Sequence, residues 1–85
     1  MKKISEIEEI VLKVCNDNKD EYASKVIDLD TELCGENGLD SLALMNVLIE
    51  LEGIFSISTE DFIIQIFDAK TVGDICRLIV SVCQN

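Results

Sequence analysis

The sequence places a serine hydroxyl at the predicted start of a helix. Gly38 permits an unusual backbone turn, and Asp40 is a good helix N-cap directly before Ser41. Residues 42–52 are apolar nearly all round and are mostly strong helix formers. Backbone N–H groups and the helix dipole at such a position favour a bound or attached anion. An isolated Asp-Ser-Leu is usually a plain helix cap. Evidence from the rest of the sequence is therefore needed to tell capping from a functional serine.

Other side chains that commonly do chemistry are scarce. The chain contains no His, which removes the commonest general base and excludes a Ser–His or Cys–His nucleophile pair. The four cysteines lack the C-x-x-C spacing of zinc and dithiol sites, and they lie at positions Cys15, Cys34, Cys76 and Cys83. We therefore expect no catalytic residue and no metal site.

One acidic segment invites comparison with a calcium loop, because Asp28, Asp30 and Glu32 alternate along it. In an EF-hand loop that begins at Asp28, the sixth residue should be Gly and the twelfth a bidentate Glu. Those positions hold Leu33 and Leu39. The pattern excludes an EF-hand.

Length and composition predict one small soluble domain over residues 1–85. The chain is 48% hydrophobic and has no Pro and only 4 Gly, which favours helices over a many-turned β-sandwich. An even cysteine count would allow two disulfides, but the N-terminus does not resemble a secretory signal. No apolar run is long enough to span a bilayer. We therefore expect a cytoplasmic protein with reduced thiols and no membrane span.

Acidic residues are concentrated in the middle of the chain. The net charge is −10, and no basic residue occurs between Lys25 and Lys70. A surface of one sign repels nucleic acid and attracts basic partners, so we expect no nucleic-acid binding. The acidic residues in this gap are Asp28, Asp30, Glu32, Glu36, Asp40, Glu50, Glu52, Glu60, Asp61 and Asp68.

Apolar residues at steps of three and four predict helices over residues 3–16, over residues 41–55, and from Thr71 to near Cys83. The long connection over residues 16–39 is expected to fold over the bundle. It would be held there by spaced apolar side chains, namely Tyr22, Val26, Ile27, Leu29 and Leu33.

The third element is ambiguous. Residues 62–67 are β-branched and aromatic and would suit a strand paired with residues 55–57. Two short strands alone are marginally stable, so we predict a short buried helix instead. Core packing is the favoured role of its apolar residues, and shielding of an attached chain is the alternative, for Phe62, Ile63, Ile66 and Phe67. Capping boxes are predicted before the last two helices, in the pairs Ser58 with Asp61 and Thr71 with Asp74.

The second helix has two apolar faces. One broad face would pack against the first helix and consists of Leu44, Val47, Leu48, Leu51 and Phe55. The adjoining face holds Leu42, Met45 and Ile49 beside Asn46. A second apolar face on a bundle helix is either buried or offered to a partner.

Three motifs, in order and at suitable spacing, resemble the acyl and peptidyl carrier protein family. Residues 38–42 (Gly-Leu-Asp-Ser-Leu) are similar to the family's attachment motif. Residues 51–57 are similar to its Leu-Glu-x-x-Phe-x-Ile exit from the second helix, and residues 70–75 to the start of its last helix. With these motifs present, attachment at Ser41 outweighs plain capping.

The resemblance implies an all-α fold, a small four-helix bundle of three longer helices and one short one with a long first loop. It implies that Ser41, between Asp40 and Leu42, is esterified by 4′-phosphopantetheine from coenzyme A. A separate phosphopantetheinyl transferase would attach this arm, whose thiol carries acyl or aminoacyl groups as thioesters. The second helix would be the recognition helix, and the implied partner-binding residues are Leu42, Met45, Asn46, Ile49, Glu36, Glu50 and Glu52.

The implied protein is a monomeric carrier without catalytic activity. Its further partners would be an acyl- or aminoacyl-loading enzyme and synthase or transferase enzymes with basic docking patches. Ala43 and Asn46 stand where carriers of primary fatty acid synthesis commonly have carboxylates, which favours a specialised polyketide-, peptide- or fatty-acid-type pathway. Two alternatives stay open. One is an aminoacyl carrier of the peptidyl or D-alanyl type, and the other is a helical interaction module in which Ser41 is only a cap residue.

Overall fold

A computed structural model describes residues 3–19, 26–33 and 40–83 of the chain. These residues contain no β-strand, only an isolated bridge between Glu32 and Thr71. Their elements are the α-helices Ile4–Asn18 (α1), Ser41–Phe55 (α2), Ile63–Asp68 (α3) and Val72–Cys83 (α4), and the 3₁₀ turn Thr59–Asp61. The predicted all-α bundle of three longer helices and one short one is confirmed. No helix within the described ranges is long and apolar enough to cross a bilayer.

The core lies where α1 packs against both α2 and α4. Each of these helices supplies apolar residues three or four positions apart, so that one stripe of each points inward. Full burial of one such side chain contributes about 1.5–3 kcal/mol. The most completely buried side chains are Ile7, Val11, Val47, Leu51, Val72, Ile75 and Ile79.

The first helix continues two residues beyond its predicted end at position 16. Asn16 and Asn18 donate side-chain amide hydrogen bonds to the carbonyls of Leu12 and Val14, each at 2.9 Å. In an α-helix that runs to Asn18 these two carbonyls also face the backbone N–H groups of residues 16 and 18, so each amide adds a second hydrogen bond within the last turn. The Asn-Asp-Asn segment therefore forms the last turn of the helix instead of interrupting it.

Asn16 also holds the start of the described part of the first loop. Its side chain accepts a hydrogen bond from the Ile27 N–H at 2.9 Å and donates one to the Ile27 carbonyl at 3.1 Å. Ile27 is buried, and Leu29 and Leu33 pack against the core. Val26 is exposed, so its predicted anchoring role is wrong, and Tyr22 lies outside the described residues.

A second attachment joins this loop to the start of α4. The Gly73 N–H donates to the Leu29 carbonyl at 2.7 Å, and the Val72 N–H donates to the Thr31 carbonyl at 3.0 Å. A Cβ atom on residue 73 would lie 2.9 Å from the Leu29 carbonyl oxygen. Only glycine permits this close approach without a shift of the backbone.

The predicted capping boxes have different outcomes. At α4, Thr71 Oγ1 accepts a hydrogen bond from the Asp74 N–H at 3.2 Å, and Asp74 Oδ2 accepts one from the Thr71 N–H at 3.1 Å. This reciprocal pair confirms the box before α4. The prediction of a capping box at Ser58 is wrong, because the Ser58 side chain makes no capping hydrogen bond.

The third element is a helix, as predicted, but it is not a buried one. Phe62, directly before α3, is only 3% exposed, and Ile66 packs against the core. Ile63 and Ile64 are exposed, and Phe67 is 82% exposed. At about 100° per residue, a six-residue helix that packs along one side turns these three side chains outward. Core packing is confirmed for Phe62 and Ile66 and is wrong for Ile63 and Phe67.

These two phenylalanines give a matched pair of stability variants. We expect Phe62→Ala to lower the free energy of unfolding by about 3–5 kcal/mol, because it leaves a cavity in the core. Phe67→Ala removes a solvent-exposed ring and should change that free energy by no more than about 0.5 kcal/mol. Urea unfolding followed by circular dichroism measures both values. Equal losses in the two variants would contradict the packing described for α3.

Asp74 makes the stability dependent on acid pH. The Lys70 and Thr71 N–H groups, followed by the Arg77 side chain, lower the pKa of its carboxyl from 3.8 to about 2. A carboxyl with a lowered folded-state pKa stabilises the fold fully above its unfolded-state pKa, and the contribution is lost as the pH falls towards the folded-state value.

We therefore expect Asp74→Asn to be less stable than the parent protein at neutral pH. The difference should shrink as the pH is lowered from about 4 towards 2, in the window set by the two pKa values. Urea unfolding of both proteins across this range measures it. A difference that is independent of pH would show that the Asp74 carboxylate does not stabilise the cap by its charge.

Candidate functional site

The candidate site is built around the first turn of α2. Ser41 is the first of the 15 residues of this helix, and Asp40 precedes it in an extended conformation. The Asp40 side chain accepts a hydrogen bond from the Ala43 N–H at 2.7 Å, and its carbonyl accepts one from the Leu44 N–H at 2.9 Å. Asp40 is therefore the N-cap that the sequence predicted, and it fixes where the helix begins.

This helix start suits a covalently attached phosphodiester. A backbone N–H in the first turn of a helix has no helical carbonyl four residues before it. The N–H groups of Ser41 and Leu42 therefore have no acceptor inside the helix. No residue within the first turn is acidic, and the carboxylate of the preceding Asp40 accepts the Ala43 N–H. A negative charge placed there gains about 0.3–1 kcal/mol from the helix dipole. The residues at this position fit an anionic group on the serine oxygen.

The described residues offer little chemistry beyond this helix start. They contain no cluster of three or more His, Cys, Asp or Glu side chains that could hold a metal ion. Cys15, Cys76 and Cys83 are free thiols, and Cys34 lies outside the described part. Burial, with the nearby Cys76, raises the pKa of the Cys15 thiol to about 12. Burial, with the nearby Glu8 carboxylate, raises the pKa of Cys76 to about 11, so both thiols stay protonated near neutral pH and are poor nucleophiles.

The second apolar face of α2 is exposed. Ala43, Val47 and Leu51 point into the core, whereas the outer face consists of Leu42, Met45 and Ile49, which are 70%, 61% and 63% exposed. We call these last three residues the α2 ridge. Asn46 lies exposed beside it. Three large apolar side chains in one exposed row are characteristic of an interaction surface.

Two carboxylates flank the α2 ridge. A rotation of about 100° per residue places Glu50 on one side of it and Glu52 on the other. Glu50 accepts a hydrogen bond from the side-chain amide of Asn18, the last residue of α1. Glu52 accepts one from the Thr59 hydroxyl in the 3₁₀ turn. The structure thus brings these predicted partner residues together with the ridge, and Glu36 lies outside the described residues.

Some exposed and polar features of the described residues were not identified from the sequence. Ile64 and Phe67 of α3 are exposed apolar residues, and the only sequence signal for this was the shortness of their helix. Asn18 and Thr59 were not identified at all, because each meets a glutamate of a different helix or turn, 32 and 7 residues away. No local pattern indicates such contacts.

The geometry agrees with what comparison with known families shows. A family model described as a phosphopantetheine attachment site matches residues 5–79. The match spans α2, α3 and nearly all of α1, and it extends into α4. No curated protein and no solved structure matches the chain significantly. Since the family model covers most of the chain, the protein belongs to the phosphopantetheine attachment-site family of acyl and peptidyl carrier domains, whose covalent cofactor is 4′-phosphopantetheine.

Proposed function

We propose that this protein is a carrier without catalytic activity of its own, and that Ser41 is the residue that bears 4′-phosphopantetheine. The observation that carries the proposal is the position of Ser41, at the first turn of a capped helix within the matched family segment. When bound, phosphopantetheine supplies a flexible arm whose terminal thiol holds an acyl or aminoacyl group as a thioester. The chain's own residues hold the arm's attachment point and present it to other enzymes.

Ser41 acts in this proposal as an acceptor that other groups must activate. The chain has no His, and the adjacent Asp40 carboxylate is engaged with the Ala43 N–H. A serine hydroxyl is a weak nucleophile until a base removes its proton. The base that removes its proton is therefore supplied by the phosphopantetheinyl transferase, and the first-turn N–H groups of α2 favour the resulting anionic linkage.

Partner enzymes would recognise the α2 ridge and the carboxylates beside it. The exposed Leu42, Met45 and Ile49 side chains can enter an apolar groove, and Glu50 and Glu52 can meet basic residues at its edges. The matching patches would lie on the phosphopantetheinyl transferase, on an acyl- or aminoacyl-loading enzyme, and on synthase or transferase enzymes. We retain a cytoplasmic location and a monomeric state as predictions.

The outer face of α2 favours a specialised pathway. Ala43 is buried and Asn46 is neutral, so no carboxylate of α2 precedes Glu50. Partners of this helix would depend more on apolar contact and less on charge along its first two turns. An aminoacyl carrier would use the same surface, and only its loading enzyme would differ. Family membership argues against a module in which Ser41 only caps a helix.

A pair of serine variants tests the attachment site. We expect Ser41→Ala to fold with a free energy of unfolding within about 0.5 kcal/mol of the parent, because the capping hydrogen bond comes from Asp40. It should gain no mass on incubation with coenzyme A and a phosphopantetheinyl transferase. Ser81→Ala, which changes an exposed serine of α4, should be modified as the parent is. Modification that persists in Ser41→Ala would refute the assignment.

A further inference from the structure

We propose that Asn18 and Thr59 are positioning residues, which hold the carboxylates of Glu50 and Glu52 in the orientation that partner enzymes meet. The inference rests on the proposed function, because it concerns how the carrier docks on enzymes that recognise α2. Neither residue belongs to α2. Each reaches one side of the α2 ridge from a neighbouring element.

On the Glu50 side of the ridge, the amide of Asn18 is held by its own helix as well as by Glu50. Its nitrogen donates to the Val14 carbonyl at 2.9 Å and also to Oε2 of Glu50. An amide nitrogen carries two hydrogens, so one anchors the side chain to its own helix and the other orients the glutamate. Since Val14 and Val47 are buried in the shared core of α1 and α2, the two helices are held in a fixed relation.

On the other side, Thr59 is held by the turn that contains it. The Phe62 N–H donates to the Thr59 carbonyl at 3.0 Å, and the buried Phe62 ring anchors this turn to the core. A threonine side chain has restricted rotamers. Its hydroxyl is therefore held in position to donate a hydrogen bond to Oε1 of Glu52.

A held carboxylate can still bind a partner. Its two oxygens offer about four acceptor positions, so one internal hydrogen bond leaves capacity for a lysine or arginine. A freely rotating glutamate would lose rotamer freedom on docking, and prior ordering reduces that cost. Fixed charges on both sides of an apolar ridge also define the orientation in which a basic partner can approach.

The clearest test uses Thr59, because valine removes its hydroxyl at nearly constant shape and serine retains the hydroxyl. The KM and kcat of a phosphopantetheinyl transferase for the unmodified carrier would be measured with saturating coenzyme A at low and high salt. The set comprises the parent, Thr59→Val, Thr59→Ser, Glu52→Gln and the double variant with Glu52→Gln and Thr59→Val.

We expect Thr59→Val to raise KM about two- to fivefold at low salt with kcat unchanged, which is the range of an exposed charge contact. Thr59→Ser should restore the parent KM. In the Glu52→Gln background, Thr59→Val should have no further effect, because the charge that it positions is gone. The difference in KM between Thr59→Val and the parent should become smaller at high salt.

An unchanged KM in Thr59→Val would overturn the inference for this side, even if the melting temperature fell, because a purely structural hydrogen bond behaves in that way. An equal rise in KM with and without Glu52 would also overturn it. The same KM and kcat measurements on Asn18→Ala, Glu50→Gln and their double variant test the Glu50 side of the ridge. Failure of the parent protein to be modified at all would instead refute the proposed function, so the two failures are distinguishable.

Discussion

The burial of one face of α2 against α1 is the constraint on which the rest of this structure depends. Val47 and Leu51 are almost completely inaccessible, as are Ile7 and Val11 of α1. A helix locked along this stripe can turn only one other face to solvent, and that face carries the α2 ridge. The same burial fixes the axis of α2 and therefore the place and direction of its first turn, where Asp40 caps the helix. The positions of the proposed attachment point and of the recognition surface thus both follow from the packing of α2 against α1.

The remaining elements stabilise this arrangement through polar contacts at its edges. Asn16 binds both backbone groups of Ile27, and Gly73 allows the Leu29 carbonyl to approach α4. The first loop is thereby attached at once to the end of α1 and to the start of α4. Such contacts leave the outer face of α2 uncovered by the described part of the loop. A carrier needs this division, because its surface must stay open to successive partners while its core remains fixed.

Sequence reasoning succeeded where the signal is local and periodic. The bounds of α2, its cap at Asp40 and its two apolar faces follow from residue spacing and capping chemistry. It predicted that α3 is a helix but not which side of it is buried, because a run of six almost entirely apolar residues has no polar face to show this. It missed the extension of α1, since an Asn-Asp-Asn run usually marks a break and here forms the last helical turn. The contacts of Asn18 and Thr59 with α2 depend on tertiary packing, and no spacing rule reveals them. Attachment at Ser41 itself stays a prediction from its motif and its place in the fold.

The measurement that tests the central claim most directly is the intact mass of the parent protein after incubation with coenzyme A and a phosphopantetheinyl transferase. Fragmentation of the product would then locate the added group. We expect a gain of a single phosphopantetheine, carried on Ser41. No gain by protein that began unmodified, or a gain located on another residue, would contradict it.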